Sequence, residues 1–307
     1  MYRNFKLLIV LCSFSYNAFA QDFILNPSSI THPVVASKGM VATQHYLASK
    51  VGEDILSQGG NAYDAAVAVG FALAVVLPRA GNIGGGGFMV MHDAKSNEAF
   101  SIDYREKAPL KASRDMYLND DGSVNSLRST VGYLAIGVPG SVYGMWEVHK
   151  KFGSMEWAEL LQPAIKLASE GFVMSQYMTM TLNSRYKKLS QFPETKDIFY
   201  KDYPIEFNNV LIQADLAQTL TLIAQNGVAG FYEGEVADKI VNAMEKNGGL
   251  ISHRDLKKYR PNWRKPLRSN YKGMNIITMG PPSSGGIHLI QMLNILENYN
   301  LKSFGHN

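Results

Sequence analysis

The chain has 307 residues, 30 Lys+Arg against 26 Asp+Glu, and a formal net charge of +4; 46% of its residues are hydrophobic and 18% charged. That balance excludes wholesale disorder and low-complexity or collagen-like chains. So small a charge argues against nucleic acid as a partner, because a dedicated binder carries a basic face. A single cysteine excludes a disulfide scaffold and a Cys-based zinc or iron–sulfur centre.

Residues 1–20 read as a secretory signal peptide. Arg3 and Lys6 give a positive start, Leu7 to Leu11 an apolar run, and Ala18-Phe19-Ala20 an A-x-A site before Gln21. The segment is too short to span a membrane stably. Cys12 raises a lipoprotein alternative, but Leu11 is bulky where lipoprotein processing requires a small residue. Cleavage after Ala20 removes the only thiol, which suits an oxidising compartment, so a periplasmic or secreted location is expected. No membrane association is expected after signal removal, since the uncharged run Ala65 to Leu77 has core-helix length.

Short strands and helices then alternate. Val41-Ala42-Thr43 is strand-like. Leu47, Val51 and Ile55 recur at i, i+4, i+8, predicting a helix that Gly59-Gly60 ends. Asn61 caps the next helix with Asp64 in its first turn. Ala65 to Leu77 is apolar on every side, so that helix must be covered all round until Pro78 stops it. Gly84 to Gly87 forms a turn before a β-hairpin of Phe88 to His92 and Ala99 to Tyr104. Gly137-Val138-Pro139-Gly140 leads into a helix ending near Gly153, and Ser154 is placed as the cap of another, carrying Trp157, Leu160, Leu161, Ile165 and Ala168, with Pro163 as a kink. Further helices are expected over Leu216 to Gln225, over Val236 to Lys246, and from a capping box at Ser252 and Asp255. A strand over Met274 to Met279 leads through Pro281-Pro282-Ser283-Ser284-Gly285-Gly286 into a helix with Leu289, Leu293 and Leu296. Nothing resembles a linker or repeat.

The residues offer little catalytic machinery. The seven histidines (32, 45, 92, 149, 253, 288 and 306) form no metal-ligand spacing. No nucleophile elbow or Walker loop occurs, and Met89 stands where a dinucleotide fingerprint needs its third glycine. The four-glycine turn reads as tight backbone packing or as a wall beside a ligand, with packing favoured. Ser283 and Ser284 read as a helix cap or an anion nest, with the cap favoured because no base lies nearby in sequence. Arg105 is the candidate site residue. It sits where a strand meets a loop, in Asp103-Tyr104-Arg105-Glu106-Lys107-Ala108-Pro109, and a guanidinium fork matches a carboxylate. The residues alone favour, slightly, a local ion pair with Asp103 or Glu106.

Five stretches occur together in order: Gly59 to Ala68, Gly81 to Met89, Asp103 to Pro109, Gly137 to Gly140 and Pro281 to Gly286. In register they closely resemble the large-subunit portion of bacterial γ-glutamyltranspeptidases, from about Val34 to the last residues. The resemblance implies an α+β fold, an N-terminal nucleophile hydrolase-like αββα sandwich, here incomplete because the C-terminal part with the nucleophile is absent. Residues 1–20 are then the signal peptide and 21–307 the large-subunit part. It implies γ-glutamyl transfer and hydrolysis on glutathione and other γ-glutamyl compounds, with acceptor amino acids or peptides. The γ-glutamyl-enzyme forms on a threonine freed by self-cleavage, and a missing small-subunit segment supplies that threonine. It carries the substrate carboxylate grip to Arg105, assigns no catalytic residue to this chain, and calls for no cofactor or metal. Related acylases, a poly-γ-glutamate depolymerase and a periplasmic amino-acid-binding module are the alternatives. By itself the chain is expected to be inactive and poorly stable, with the helix at Ala65 to Leu77 and the strand at Met274 to Met279 lacking cover.

Overall fold

A computed structural model describes residues 34–305. The chain divides near Lys38 into a short N-terminal unit and a main unit beginning at Gly39. The signal peptide expected over residues 1–20 lies outside the described residues, as do His32 and His306.

The main unit is built outward from one helix. Helix α1 (Tyr46–Ser57) crosses α2 (Ala62–Val76) where Gly52 meets Val41 and Val69; a Cβ on Gly52 would come within 2.8 Å of both side chains. Asn61 caps α2 with its side chain, and Asp64 returns a bond to the Asn61 N–H, which closes a capping box. The rest of α2 is buried from Ala65 to Val76 on nearly every side, including Val67, Phe71 and Val75. This overturns the expectation that α2 lacks cover, because the chain's own α1, α3 and α4 enclose it.

The hairpin follows as β1 (Phe88–Asp93) and β2 (Glu98–Asp103), antiparallel with Phe88 opposite Asp103. Helix α3 (Ser141–Phe152) ends at Gly153, and α4 (Trp157–Glu170) runs through Pro163. Ser154 does not cap α4. Its hydroxyl donates to Asp64 Oδ2 at 2.6 Å, because that buried carboxylate draws the nearest donors to itself, and Glu156 takes the cap position.

A pair of two-residue strands, β3 (Phe172–Val173) and β4 (Val210–Leu211), brackets α5 (Gln176–Leu189) and α6 (Pro193–Phe199). Helix α7 (Ala214–Asn226) packs on α4, and the Trp157 Nε1 donates to Ile223 O at 2.9 Å across that seam. The chain continues through α8 (Ala229–Tyr232), α9 (Gly234–Asn247, ended by left-handed Gly248) and α10 (His253–Lys258). Strand β5 (Asn262–Arg264) then pairs antiparallel with β2, making the sheet order β1-β2-β5.

A second hairpin, β6 (Leu267–Tyr271) and β7 (Met274–Thr278), leads into α11 (Gly285–Leu296). The strand expected to lack cover does so only at its start: Met274 and Asn275 are exposed, Ile276 to Thr278 are half-buried and Met279 is buried. Val41 to Thr43, read as a strand, makes no ladder: among the described residues no strand lies beside it to take its bonds. The main unit is thus a mixture of packed helices and antiparallel sheet, an α+β arrangement. No described helix is long and apolar enough to cross a membrane.

Candidate active site

The end of β2 is where three of the five motif stretches meet. Gly87 exchanges backbone bonds with Tyr104, and Gly86 lies against the backbone of Tyr104, Arg105 and Glu106, where a Cβ would be 2.9 Å from Arg105 Cα. Gly85 O accepts from Gly140 N at 2.7 Å and Ser141 N at 3.0 Å, so the four-glycine turn is tied to the start of α3. Lys107 and Val138 exchange bonds on the far side. None of the four glycines has a positive φ; Gly84 has room for a Cβ, while Gly85, Gly86 and Gly87 are needed for closeness, not for a left-handed turn. Their role is the packing one, with the wall they form directly behind Arg105.

Tyr104 points inward beneath this wall. Its ring lies against Gly87 and Gly144, and burial pushes its phenol up to about 12, so it stays neutral. Arg105 points outward. Its side chain is exposed, and among the described residues no carboxylate forms an ion pair with it. Of the two ion pairs favoured from the residues alone, Glu106 forms none with Arg105 among the described residues, and the one with Asp103 is absent because Asp103 is taken. Arg264 reaches it from β5, with Nε at 3.0 Å and a terminal nitrogen at 2.8 Å, both on Oδ2. Asp103 Oδ1 accepts instead from the backbone N–H of Arg105 at 3.1 Å.

The carbonyl of Arg105 is held as well. Tyr259, buried to 2% exposure, donates its hydroxyl to Arg105 O at 2.9 Å. Burial first, then the negative Asp103 and Glu106, push the Tyr259 phenol well up, so it remains a donor across the physiological range. The result is a fixed backbone carrying a guanidinium with no ionic partner among the described residues. A planar anion such as a carboxylate fits that fork. Neither Arg264 nor Tyr259 was singled out from the sequence. The bond from Arg264 to Asp103 spans 161 positions, and nothing local to YRPNWR signals it.

The other motif stretches lie elsewhere. Gly59 to Ala68 serves the start of α2. In the Pro281 to Gly286 loop, Ser283 Oγ accepts from Gly285 N at 3.2 Å, while Ser284 holds the cap position of α11 without a side-chain bond. A cavity of about 560 Å³ opens between α2, α5 and α6, lined by Arg79, Arg185 and Lys188 with apolar walls such as Leu182 and Phe199. None of its polar lining residues is buried, so its charges are already solvated. Among the described residues no group of three His, Cys, Asp or Glu side chains gathers to hold a metal.

The fold and this strand-end arrangement define a class that comparison with known proteins makes specific. The family model described as Gamma-glutamyltranspeptidase matches residues 48–307, and the chain belongs to that family. It is 46% identical over 278 residues to the glutathione hydrolase proenzyme of Escherichia coli (strain K12), covering 90% of this chain and 48% of the relative. The crystal structure of Helicobacter pylori gamma-glutamyltranspeptidase superposes with a TM-score of 0.87 at 46% identity, covering 90% of this chain and 79% of that one. The Acylase ACY 1 proenzyme of Pseudomonas sp. (strain V22) is 40% identical, over 89% of this chain and 50% of the relative. The chain spans about half the length of the curated relatives it matches.

Proposed function

We propose that this chain is the large-subunit part, residues 21–307, of a γ-glutamyltransferase and glutathione hydrolase, and that residues 1–20 direct it to the periplasm or outside the cell. The complete protein has the αββα sandwich of N-terminal nucleophile hydrolases. Its remaining segment supplies the second half of the core and a threonine freed by self-cleavage. That hydroxyl attacks the γ-carbonyl of glutathione or another γ-glutamyl compound, the amine or thiol-bearing peptide leaves, and water or an acceptor amino acid or peptide resolves the ester. Such chemistry needs the α-amino-acid end of the glutamyl group held still while the γ-carbonyl carbon reacts.

Arg105 holds that end, through the substrate's α-carboxylate. The observation that carries this assignment is an exposed guanidinium, without an ionic partner among the described residues, on a backbone fixed at both its N–H and its C=O. Such a side chain pairs with an incoming carboxylate without first breaking an internal salt bridge.

The test is glutamate release from a γ-glutamyl anilide by the full-length protein. Arg105→Met is expected to raise KM by roughly 10–100-fold, the loss of a charge-assisted pair. An unchanged KM removes Arg105 from substrate binding. The 40% identity to a protein named an acylase supports a second reading, acyl transfer on a different amide. In that case a non-glutamyl acyl amide outpaces the γ-glutamyl anilide, and Arg105→Met does not favour one over the other.

A further inference from the structure

The segment 255–264 runs antiparallel beside 101–110 and stays bonded to it beyond the end of the ladder. Strand pairing joins Ser101 with Arg264, Ile102 with Trp263 and Asp103 with Asn262. Past that point side chains take over. Tyr259 holds the carbonyl of Arg105 at 2.9 Å, Lys107 Nζ donates to Arg260 O at 2.7 Å, and Leu110 N donates to Asp255 Oδ1 at 2.6 Å. At the near end Arg264 occupies Asp103 Oδ2 and Ser101 Oγ donates to Arg264 O at 2.9 Å. Every second or third residue of the loop that carries Arg105 is therefore fastened to this one strap.

Two fastenings bear on Arg105 alone. Arg264 neutralises Asp103, which frees Arg105 from one of the two carboxylates that flank it in sequence and leaves Oδ1 to hold its N–H. Tyr259 fixes the opposite side of the same residue. The Tyr259 ring is itself seated: it stacks on Tyr232 at 5.9 Å, Lys107 Nζ lies 5.3 Å over its face, and the Tyr232 hydroxyl donates to Pro139 O at 2.9 Å. Remove Arg264, and the carboxylate of Asp103 becomes the natural partner of the Arg105 guanidinium. That would withdraw the guanidinium from solvent and from any ligand.

We infer that Arg264 and Tyr259 are positioning residues for the substrate-binding guanidinium of Arg105, acting by occupying Asp103 and by fixing the Arg105 carbonyl. This rests on the reading of Arg105 given above. It predicts an effect on ground-state binding that passes through Arg105 and no other group. A displacement of about 1 Å in a positioning group is enough to lower activity roughly 100-fold, so a tenfold effect lies well within reach.

The experiment is a double-mutant cycle on the full-length protein with a γ-glutamyl anilide. Arg264→Met is expected to raise KM about tenfold with kcat within about twofold, Arg264→Lys to recover part of the loss, and Arg264→Met to have no further effect on KM once Arg105→Met is present. Tyr259→Phe keeps the ring in place and removes only the hydroxyl. It is expected to raise KM about threefold, again only when Arg105 is intact, and it serves if Arg264→Met fails to fold. Equal KM effects in both backgrounds, or a fall in kcat with KM unchanged, overturn the positioning role while leaving Arg105 as a binder. An Arg105→Met variant with wild-type KM overturns the underlying reading, and the positioning role with it.

Discussion

Tyr104 sits one residue before Arg105 and faces the other way, so the glycines around it decide where Arg105 stands. Gly144 lies on the Tyr104 ring, and Gly140 lies between Tyr104 O and the Tyr259 hydroxyl, too close for a Cβ at either place. In an exposed helix Gly→Ala stabilises by about 1 kcal/mol. In α3 the sign reverses, because the added methyl of Gly144→Ala meets a buried ring that cannot retreat. A net loss of roughly 1–3 kcal/mol is expected from overpacking, read as a lowered Tm. A raised Tm would show that the ring has room to move. At this scale the sequence was half legible. Arg105 could be found because a charged side chain at a strand end beside a turn is chemically conspicuous. Its partners could not, because Asp103 is claimed by Arg264 across the fold, and no local pattern announces which of two neighbouring arginines takes a carboxylate.

Among elements, the join between α2 and the α3–α4 turn depends on Asp64. This carboxylate, fully shielded from solvent, accepts from Asn61 N at 2.9 Å, from Ser154 N at 3.0 Å and from Ser154 Oγ at 2.6 Å. Burial alone would raise its pKa, but the bonds from Ser154, Asn61 and Met155 outweigh burial and hold it below the usual carboxylate value. A folded value below the unfolded one means stability that is present above about pH 4 and lost as pH falls through the folded value. Asp64→Asn places an amide donor against donors, and a loss of roughly 2–3 kcal/mol is expected at neutral pH. Thermal unfolding from pH 7 down to pH 3 should show the Tm gap to wild type narrowing; a constant gap would mean the carboxylate's charge is irrelevant. The helix start at Asn61 was readable because capping is local. The Ser154 bond was misassigned because its partner lies 90 residues away. Helices α5 and α6 and the short strands went unread for a related reason: their polar, weakly periodic sequences are ordered by tertiary contacts.

For the whole molecule, two helices pose the same question and receive opposite answers. Helix α2 is apolar around nearly its whole circumference, and α11 is apolar over most of it apart from a stripe of His288, Gln291 and Asn294; both show the pattern of a helix that must be covered. The pattern states the need for cover without naming what meets it. For α2 the chain meets it with α1, α3 and α4. Along α11 only Gly286 is buried, while Ile287, Met292 and Ile295 are exposed, with Met292 at 54% and Ile295 at 59%. We propose that the remaining segment of the full-length protein packs on α11, consistent with a chain that spans about half its relatives' length. An apolar helix left in water drives association. Residues 21–307 expressed by themselves should therefore bind an apolar fluorescent dye and scatter light, and Met292→Lys with Ile295→Lys should reduce both signals. In the full-length protein the same two lysines would be forced into a dry interface, where an unpaired charge is strongly destabilising, so its Tm and its release of glutamate should both fall. If the full-length protein tolerates both lysines with unchanged Tm, α11 faces solvent in the complete molecule and its cover is not the remaining segment.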